Sequence, residues 1–207
     1  MSPWLRLPVI YGVYLAAAMS PGPSVLFVLR TAMASRRRGL RAAWGIASGT
    51  TIWVVTVTLG MAAVAAGSTA LFSIFRAVGG AYFVYLGARY ALDALRAGAA
   101  GPAKAAESSS SDFAQGLATN LTNPGTIAFF LGLLSLYIDA ASPPALRAAV
   151  CIGIAMLSCA WYSSLAWLFS TRRMLSVYER IRRPLDAALG LVFVLLGADL
   201  LFALARR

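Results

Sequence analysis

Two long apolar stretches of this chain are each interrupted by a proline-glycine break, and no other feature constrains the fold as strongly. Ser20-Pro21-Gly22-Pro23-Ser24 interrupts the run from Pro8 to Arg30, and Asn123-Pro124-Gly125-Thr126 interrupts the run from Phe113 to Ile138. In water such a break would simply end a helix. In a bilayer it leaves backbone groups unpaired where lipid cannot satisfy them, so it must face protein or a water-filled cavity. Interrupted segments at corresponding places in two halves of a chain point to the binding site of a transporter.

The argument needs a membrane, and the composition supplies one. Of 207 residues, 60% are hydrophobic and 12% charged, with a mean hydropathy of +0.76; an ordinary soluble domain carries about 25% charged residues. A spanning helix needs roughly 20 mostly apolar residues. Six stretches qualify, near 6–29, 42–66, 69–92, 115–138, 144–170 and 185–204. The expected fold class is therefore an all-α membrane protein of six transmembrane helices, with the first and fourth broken at proline. Arg6 and the apolar residues after it resemble a signal peptide, but the hydrophobic run resumes after Pro23 and becomes long enough to span.

A net charge of +11 could suggest a nucleic-acid partner, but its distribution excludes that reading. Arg30, Arg36, Arg37, Arg38 and Arg41 follow the first segment; Arg89, Arg96 and Lys104 surround the end of the third; Arg172, Arg173, Arg180, Arg182 and Arg183 precede the sixth. Basic residues concentrated in alternate loops are the positive-inside pattern. It places both termini outside and loops 36–41, 93–112 and 171–184 in the cytoplasm, beside anionic lipid headgroups. Trp4, Tyr137, Trp167 and Tyr178 fall near span ends, as interfacial anchors should.

Pro124-Gly125 follows Pro21-Gly22 by 103 residues, and the same shift carries the start of the second segment to the start of the fifth. The halves read as duplicated three-helix units, 1–96 and 113–207, joined by a Ser/Gly/Pro-rich cytoplasmic linker at 97–112. Because three is odd, the second unit must insert upside down relative to the first. An inverted repeat follows from topology alone. Asp112 with Gln115 three residues later fits a capping arrangement at the start of the fourth segment. Gly45, Gly49, Gly79, Gly80, Gly87, Gly190 and Gly197 read as close-packing positions between helices.

The breaks carry the candidate site. Pro21 lacks an N–H, so the carbonyl of Ala17 is expected to lose its helical partner; Pro23 and Pro124 should do the same to Met19 and Asn120. New half-helices start near Pro23-Ser24 and Pro124, and their free N–H groups suit an anion. The freed carbonyls suit an ammonium. With the hydroxyls of Ser20, Ser24 and Thr126 and the amides of Asn120 and Asn123, the two breaks would form one polar, uncharged pocket for a zwitterion. The substrate-binding candidates are thus Ser20, Pro21, Gly22, Pro23, Ser24, Asn120, Asn123, Pro124 and Thr126.

These residues carry a resemblance. Ser20-Pro21-Gly22-Pro23-Ser24, with Val25 through Arg30, the basic loop and Gly45 after it, resembles the signature of the LysE/RhtB family of amino-acid exporters. The run FAQGLATNLTNPGTIAFF from Phe113 to Phe130 is similar to the family's second signature, as is Tyr85-Leu86-Gly87-Ala88-Arg89 to the end of its third segment. The resemblance covers essentially the whole chain. It implies a bacterial inner-membrane exporter of small amino acids or their derivatives, driven by the proton gradient. The family often carries a longer basic residue, such as lysine, after the Asn-Pro pair; here Gly125-Thr126 takes that place.

Asp199 lies within the sixth segment and is the proton-coupling candidate, since an acid buried in a span costs roughly 2.5–3.5 kcal/mol even on insertion scales. Asp139 reads as interfacial, and Asp93 as part of a surface cluster with Arg89 and Arg96. Asp186 reads as a carboxylate at the start of the sixth helix. Trp53, Tyr82 and Tyr85 fall within spans and could line a cavity, though packing is the simpler role for each. With no histidine, Cys151 and Cys159 eight residues apart, and no phosphate-binding Gly-rich lysine motif, neither an enzyme, a metal site nor a cofactor is expected. The expected partners are an amino acid and membrane lipid, with a homodimer left open; export of a cation or another small metabolite is the alternative.

Overall fold

The computed structural model describes residues 3–20, 22–95, 111–139, 141–169 and 172–205. Pro21 and the linker 97–110 lie outside the described residues, as do Arg96 and the side chain of Asp93. Among the described residues a 3-10 turn at Pro3–Leu5 is followed by eight α-helices. They are α1 Arg6–Met19, α2 Pro23–Ala34, α3 Arg36–Gly67, α4 Thr69–Leu95, α5 Asp112–Leu121, α6 Pro124–Tyr137, α7 Pro144–Leu168 and α8 Arg172–Ala205. No strand occurs among the described residues.

Among the described residues three helical stretches are long and apolar enough to cross a membrane: Arg36–Met61, Ala70–Leu92 and Pro144–Leu168. The pair α1 and α2 meets at 57° and makes a fourth if it is taken as one bent span. α6 is apolar but shorter.

Helix ends depart from the sequence reading in three places. The basic run 36–41 is not a loop: Ser35 alone, extended, separates α2 from α3, and the arginines form the first turns of α3. The stretch 172–184 is also helical, with Pro184 inside α8; Arg, Met, Leu and Glu are good helix formers, so the run of charge does not end the helix. Asp186 therefore sits inside α8 instead of capping it, and it is 1% exposed. At α5 the cap is Ser111, whose hydroxyl accepts from the Ala114 N–H at 3.2 Å. Asp112, freed from capping, forms a bidentate pair with Arg38 at 2.9–3.2 Å, joining the starts of α3 and α5.

Small residues set the packing, as expected where lipid supplies no hydrophobic drive between helices. A Cβ on Gly45 or Gly116 would collide with backbone of the facing helix, at Phe113 and Ala42, so α3 and α5 lie nearly backbone to backbone. Gly79 meets Gly132 between α4 and α6, while Gly80 and Gly87 meet α8 around Leu200 and Gly190. The apolar core runs through Ile10, Val54, Phe83, Phe130, Leu133, Ile154 and Phe193. Phe83 brings two ring contacts into it, with Phe193 at 5.5 Å and with Phe129 at 5.7 Å.

Polar contacts tie the helix ends into two clusters. In one, Arg6 donates to the Tyr137 carbonyl at 2.8 Å and pairs with Asp139 at 3.4 Å, while Arg147 donates to the Asp139 carbonyl at 3.2 Å. In the other, the Arg38–Asp112 pair is joined by Arg36 lying 5.1 Å over the Trp167 ring. Trp4 and Trp167 are both exposed at helix ends.

Candidate functional site

Two helix interruptions meet at one cavity. In the first, α1 ends at Met19, Ser20 and Gly22 are extended, and α2 starts at Pro23. Proline suits that first helical position, where its missing N–H would have had no partner. Gly22 caps α2 without a side chain, so no side-chain oxygen takes the leading N–H groups of that helix. In the second, α5 ends at Leu121 and α6 starts at Pro124. Here Asn123 is the cap: its side-chain oxygen accepts from the Gly125 N–H at 3.0 Å and its carbonyl from the Thr126 N–H at 3.0 Å.

The carbonyls do not behave as the prolines suggested. Ala17 accepts from the Ser20 N–H at 3.2 Å, and Asn120 accepts from the Asn123 N–H at 3.3 Å. Each chain turns tightly before its proline, and the residues in the turn still have an N–H to give. Trp161, from α7, donates its indole N–H to the Ala18 carbonyl at 2.9 Å. The expected ring of free carbonyls for an ammonium is thus replaced by side chains.

Those side chains line a cavity of about 190 Å³, smaller than the roughly 300–1,000 Å³ of a drug-sized site. Ser20, Gly22, Pro23 and Ser24 come from the first break, and Asn120, Asn123, Gly125 and Thr126 from the second. Of the nine candidates, eight are described and seven line the cavity. Pro124 is exposed and lies off the lining.

Three lining groups are buried without a well-directed hydrogen bond: Ser20 Oγ, Asn120 Oδ1 and Tyr14 Oη, on residues 2%, 3% and 4% exposed. The Tyr14 hydroxyl lies beside those of Ser158 and Thr50, without closing a bond to either. Leaving a buried polar group unpaired costs about 1–3 kcal/mol, so three around one space mark a place built for a polar occupant. Asn120 is held in position: its Nδ2 donates to Thr50 Oγ1 at 3.2 Å, and Gly49 leaves room for the amide, where a Cβ would come within 2.8 Å of it. The opposite character comes from Phe129, Phe130, Val25 and Leu86, with Tyr14 stacked on Phe130 at 6.2 Å. A small solute with one polar and one apolar side fits this lining.

Sequence reasoning missed Tyr14, Thr50, Arg89, Tyr90 and Tyr162, all of which line the cavity, and read Tyr82 as packing. A signal existed for α4, where Tyr82, Leu86, Arg89 and Tyr90 fall on one helical stripe. The Tyr82 hydroxyl stands over Gly125 and occupies the room a side chain there would need. Tyr85 is turned outward and 56% exposed. Asp199 is exposed on α8, outside the lining, within electrostatic reach of Tyr137 at the end of α6.

Over 195 residues the chain is 30% identical to the threonine efflux proteins of Salmonella typhi and of Escherichia coli K12, covering 92% of this chain and 95% of each of those. It is 28% identical to a leucine efflux protein of Klebsiella pneumoniae, over 92% of this chain and 93% of that one. No solved structure matches. The pattern of the LysE type translocator family matches residues 15–204, and the chain belongs to that family.

Proposed function

We propose that this protein exports amino acids or close derivatives across the bacterial inner membrane, binding them in the cavity where the two proline-interrupted segments meet. The observation that carries the reading is the convergence of Ser20, Asn120 and Tyr14, each with a buried unpaired polar atom, on one small space. A zwitterion supplies both donors and acceptors to such groups, and the leading N–H groups of α2 favour its carboxylate. Relatives named for threonine and leucine efflux support the substrate class.

In this reading the chain crosses the membrane six times as two inverted three-helix repeats, 1–96 and 113–207. α1 with α2 and α5 with α6 act as broken spans, and α8 supplies the sixth. The two polar clusters support it, because alternating spans bring the starts of some segments against the ends of others: Arg6 against Tyr137, and Arg36 against Trp167. Rocking of one repeat against the other would alternate access. Proton coupling belongs to the same proposal, with Asp199 as its candidate carrier.

The test is efflux from cells loaded with a panel of amino acids as dipeptides, with and without the protein. Accelerated, protonophore-sensitive loss of one or a few amino acids is the expected result. No change across the panel, with membrane insertion confirmed, would move the assignment to export of a cation or another metabolite.

A further inference from the structure

We propose that the outer face of α3 binds one anionic phospholipid, its phosphate held by Arg37 and Arg41 and an acyl chain laid in the groove between α3 and α7. This rests on the membrane reading above only in taking α3 as a span, and it concerns a surface away from the substrate cavity.

A groove and a pair of charges share that face. The groove, about 510 Å³, is lined by Trp44, Ala47, Ser48 and Ile52 of α3 and by Ala155 and Cys159 of α7. Ala47 is buried at its floor, whereas Trp44 and Ile52 stand exposed along it. Arg37 and Arg41, both exposed, precede Trp44 by seven and three residues. At 3.6 residues per turn, Arg37, Arg41, Trp44, Ser48 and Ile52 fall on one stripe of the helix. From Arg41 to Ile52 the rise is about 16 Å, against about 15 Å for half the hydrocarbon core of a bilayer. The stripe therefore runs the depth of one leaflet, from a charged end past an indole at headgroup level to an apolar channel.

Charge selects the occupant. Of the four arginines in the first turns of α3, Arg38 holds Asp112 and Arg36 lies over the Trp167 ring. Those two serve contacts within the protein; the other two stand on the stripe that leads into the groove. Each guanidinium can give a phosphate two parallel hydrogen bonds. A zwitterionic headgroup brings its own cation to the phosphate, so two arginines favour a lipid with net negative charge. A second copy of this chain is a poorer fit, because a two-fold pairing over this face sets Arg37 and Arg41 against the same residues of the other copy.

The experiment is fluorescence quenching in detergent, with phosphatidylglycerol or phosphatidylcholine carrying brominated acyl chains. The Trp44 signal is the difference between wild type and Trp44→Phe. Brominated phosphatidylglycerol should quench it at about tenfold lower concentration than brominated phosphatidylcholine, a preference of about 1.4 kcal/mol. Arg37→Gln with Arg41→Gln should erase that preference. Cys159→Phe, at an exposed position, should fill the groove and weaken quenching by phosphatidylglycerol with both arginines intact.

Equal quenching of wild type by the two lipids overturns the proposal, and so does a preference that survives loss of both arginines. Full quenching in Cys159→Phe would mean that the headgroup is attracted without a seated chain, which also overturns it. If neither lipid quenches Trp44, another occupant covers the face and the proposal fails. The exporter reading fails separately, by wild type moving no amino acid, and the quenching results stand in either case.

Discussion

Replacing Asn120 with alanine should separate stability from transport, and the structure sets the size of the effect. The change removes the hydrogen bond from Asn120 Nδ2 to Thr50 Oγ1 at 3.2 Å and leaves the buried Thr50 hydroxyl without that donor, at a cost of about 1–3 kcal/mol. It also removes Oδ1, a buried acceptor without a partner, which relieves about 1–3 kcal/mol. The deleted atoms border a cavity that already exists, so no new enclosed void is charged against the variant. The two terms nearly cancel, leaving Asn120→Ala within about 1 kcal/mol of wild type, or about 2–4 °C in thermal unfolding for a chain of this size. Thermal unfolding in detergent and counterflow in liposomes would be measured on the same preparation. Asn120→Ala should be about as stable as wild type and nearly inactive. A loss of 2 kcal/mol or more, with export falling only as far as the folded fraction falls, would refute the reasoning and make Asn120 a structural repair of the helix break.

Other expectations follow from contacts elsewhere. Gly116→Leu should abolish folding of the α3–α5 pair, since its Cβ falls on the Ala42 carbonyl; overpacking costs about 1–3 kcal/mol or more, read as loss of monodisperse protein. Gly125→Ala should impair export because the new methyl meets the Tyr82 hydroxyl, and Tyr82→Phe in the same chain should restore part of it. Burial alone would raise the Asp139 carboxyl. Hydrogen bonds from Ser142 and Arg6, together with the Arg6 charge, overcome that and hold it below its ordinary 3.8. A depressed folded value means stabilisation present above 3.8 and lost as pH falls below it through the folded value. Asp139→Asn should therefore cost stability at neutral pH, by no more than about 1 kcal/mol for so exposed a pair, and the difference should shrink as pH falls below 3.8.

The breaks were legible because proline states its own geometry: it has no N–H to donate and fits the first turn of a new helix. What the chain does with the freed groups was not. Ala18 is satisfied by Trp161, a partner 143 residues away that no local pattern announces. Tyr14, Thr50 and Tyr162 reach the cavity only because the helices pack as they do, and each reads as an ordinary core residue in isolation. Gly49 looked like a packing glycine and is one, but what it admits is the amide of Asn120. The basic stretch 172–184 misled in a different way. Arginine density suggested a loop, but Arg, Met, Leu and Glu favour helix and α8 runs through them without stopping. Asp199 could be assigned to the sixth segment from sequence, but the face of α8 it occupies, exposed and off the cavity lining, depends on helix packing.

The central claim is that both breaks line one substrate cavity, and site-directed labelling tests it directly. Cys151 and Cys159 would be replaced by serine, and Ser24→Cys and Thr126→Cys introduced singly. The rate of maleimide labelling would then be measured in membranes with and without the exported amino acid. The account predicts that the amino acid slows labelling at both positions, over the concentration range that saturates export. Labelling that proceeds at the same rate with saturating substrate at either position, in protein that still exports, would contradict it.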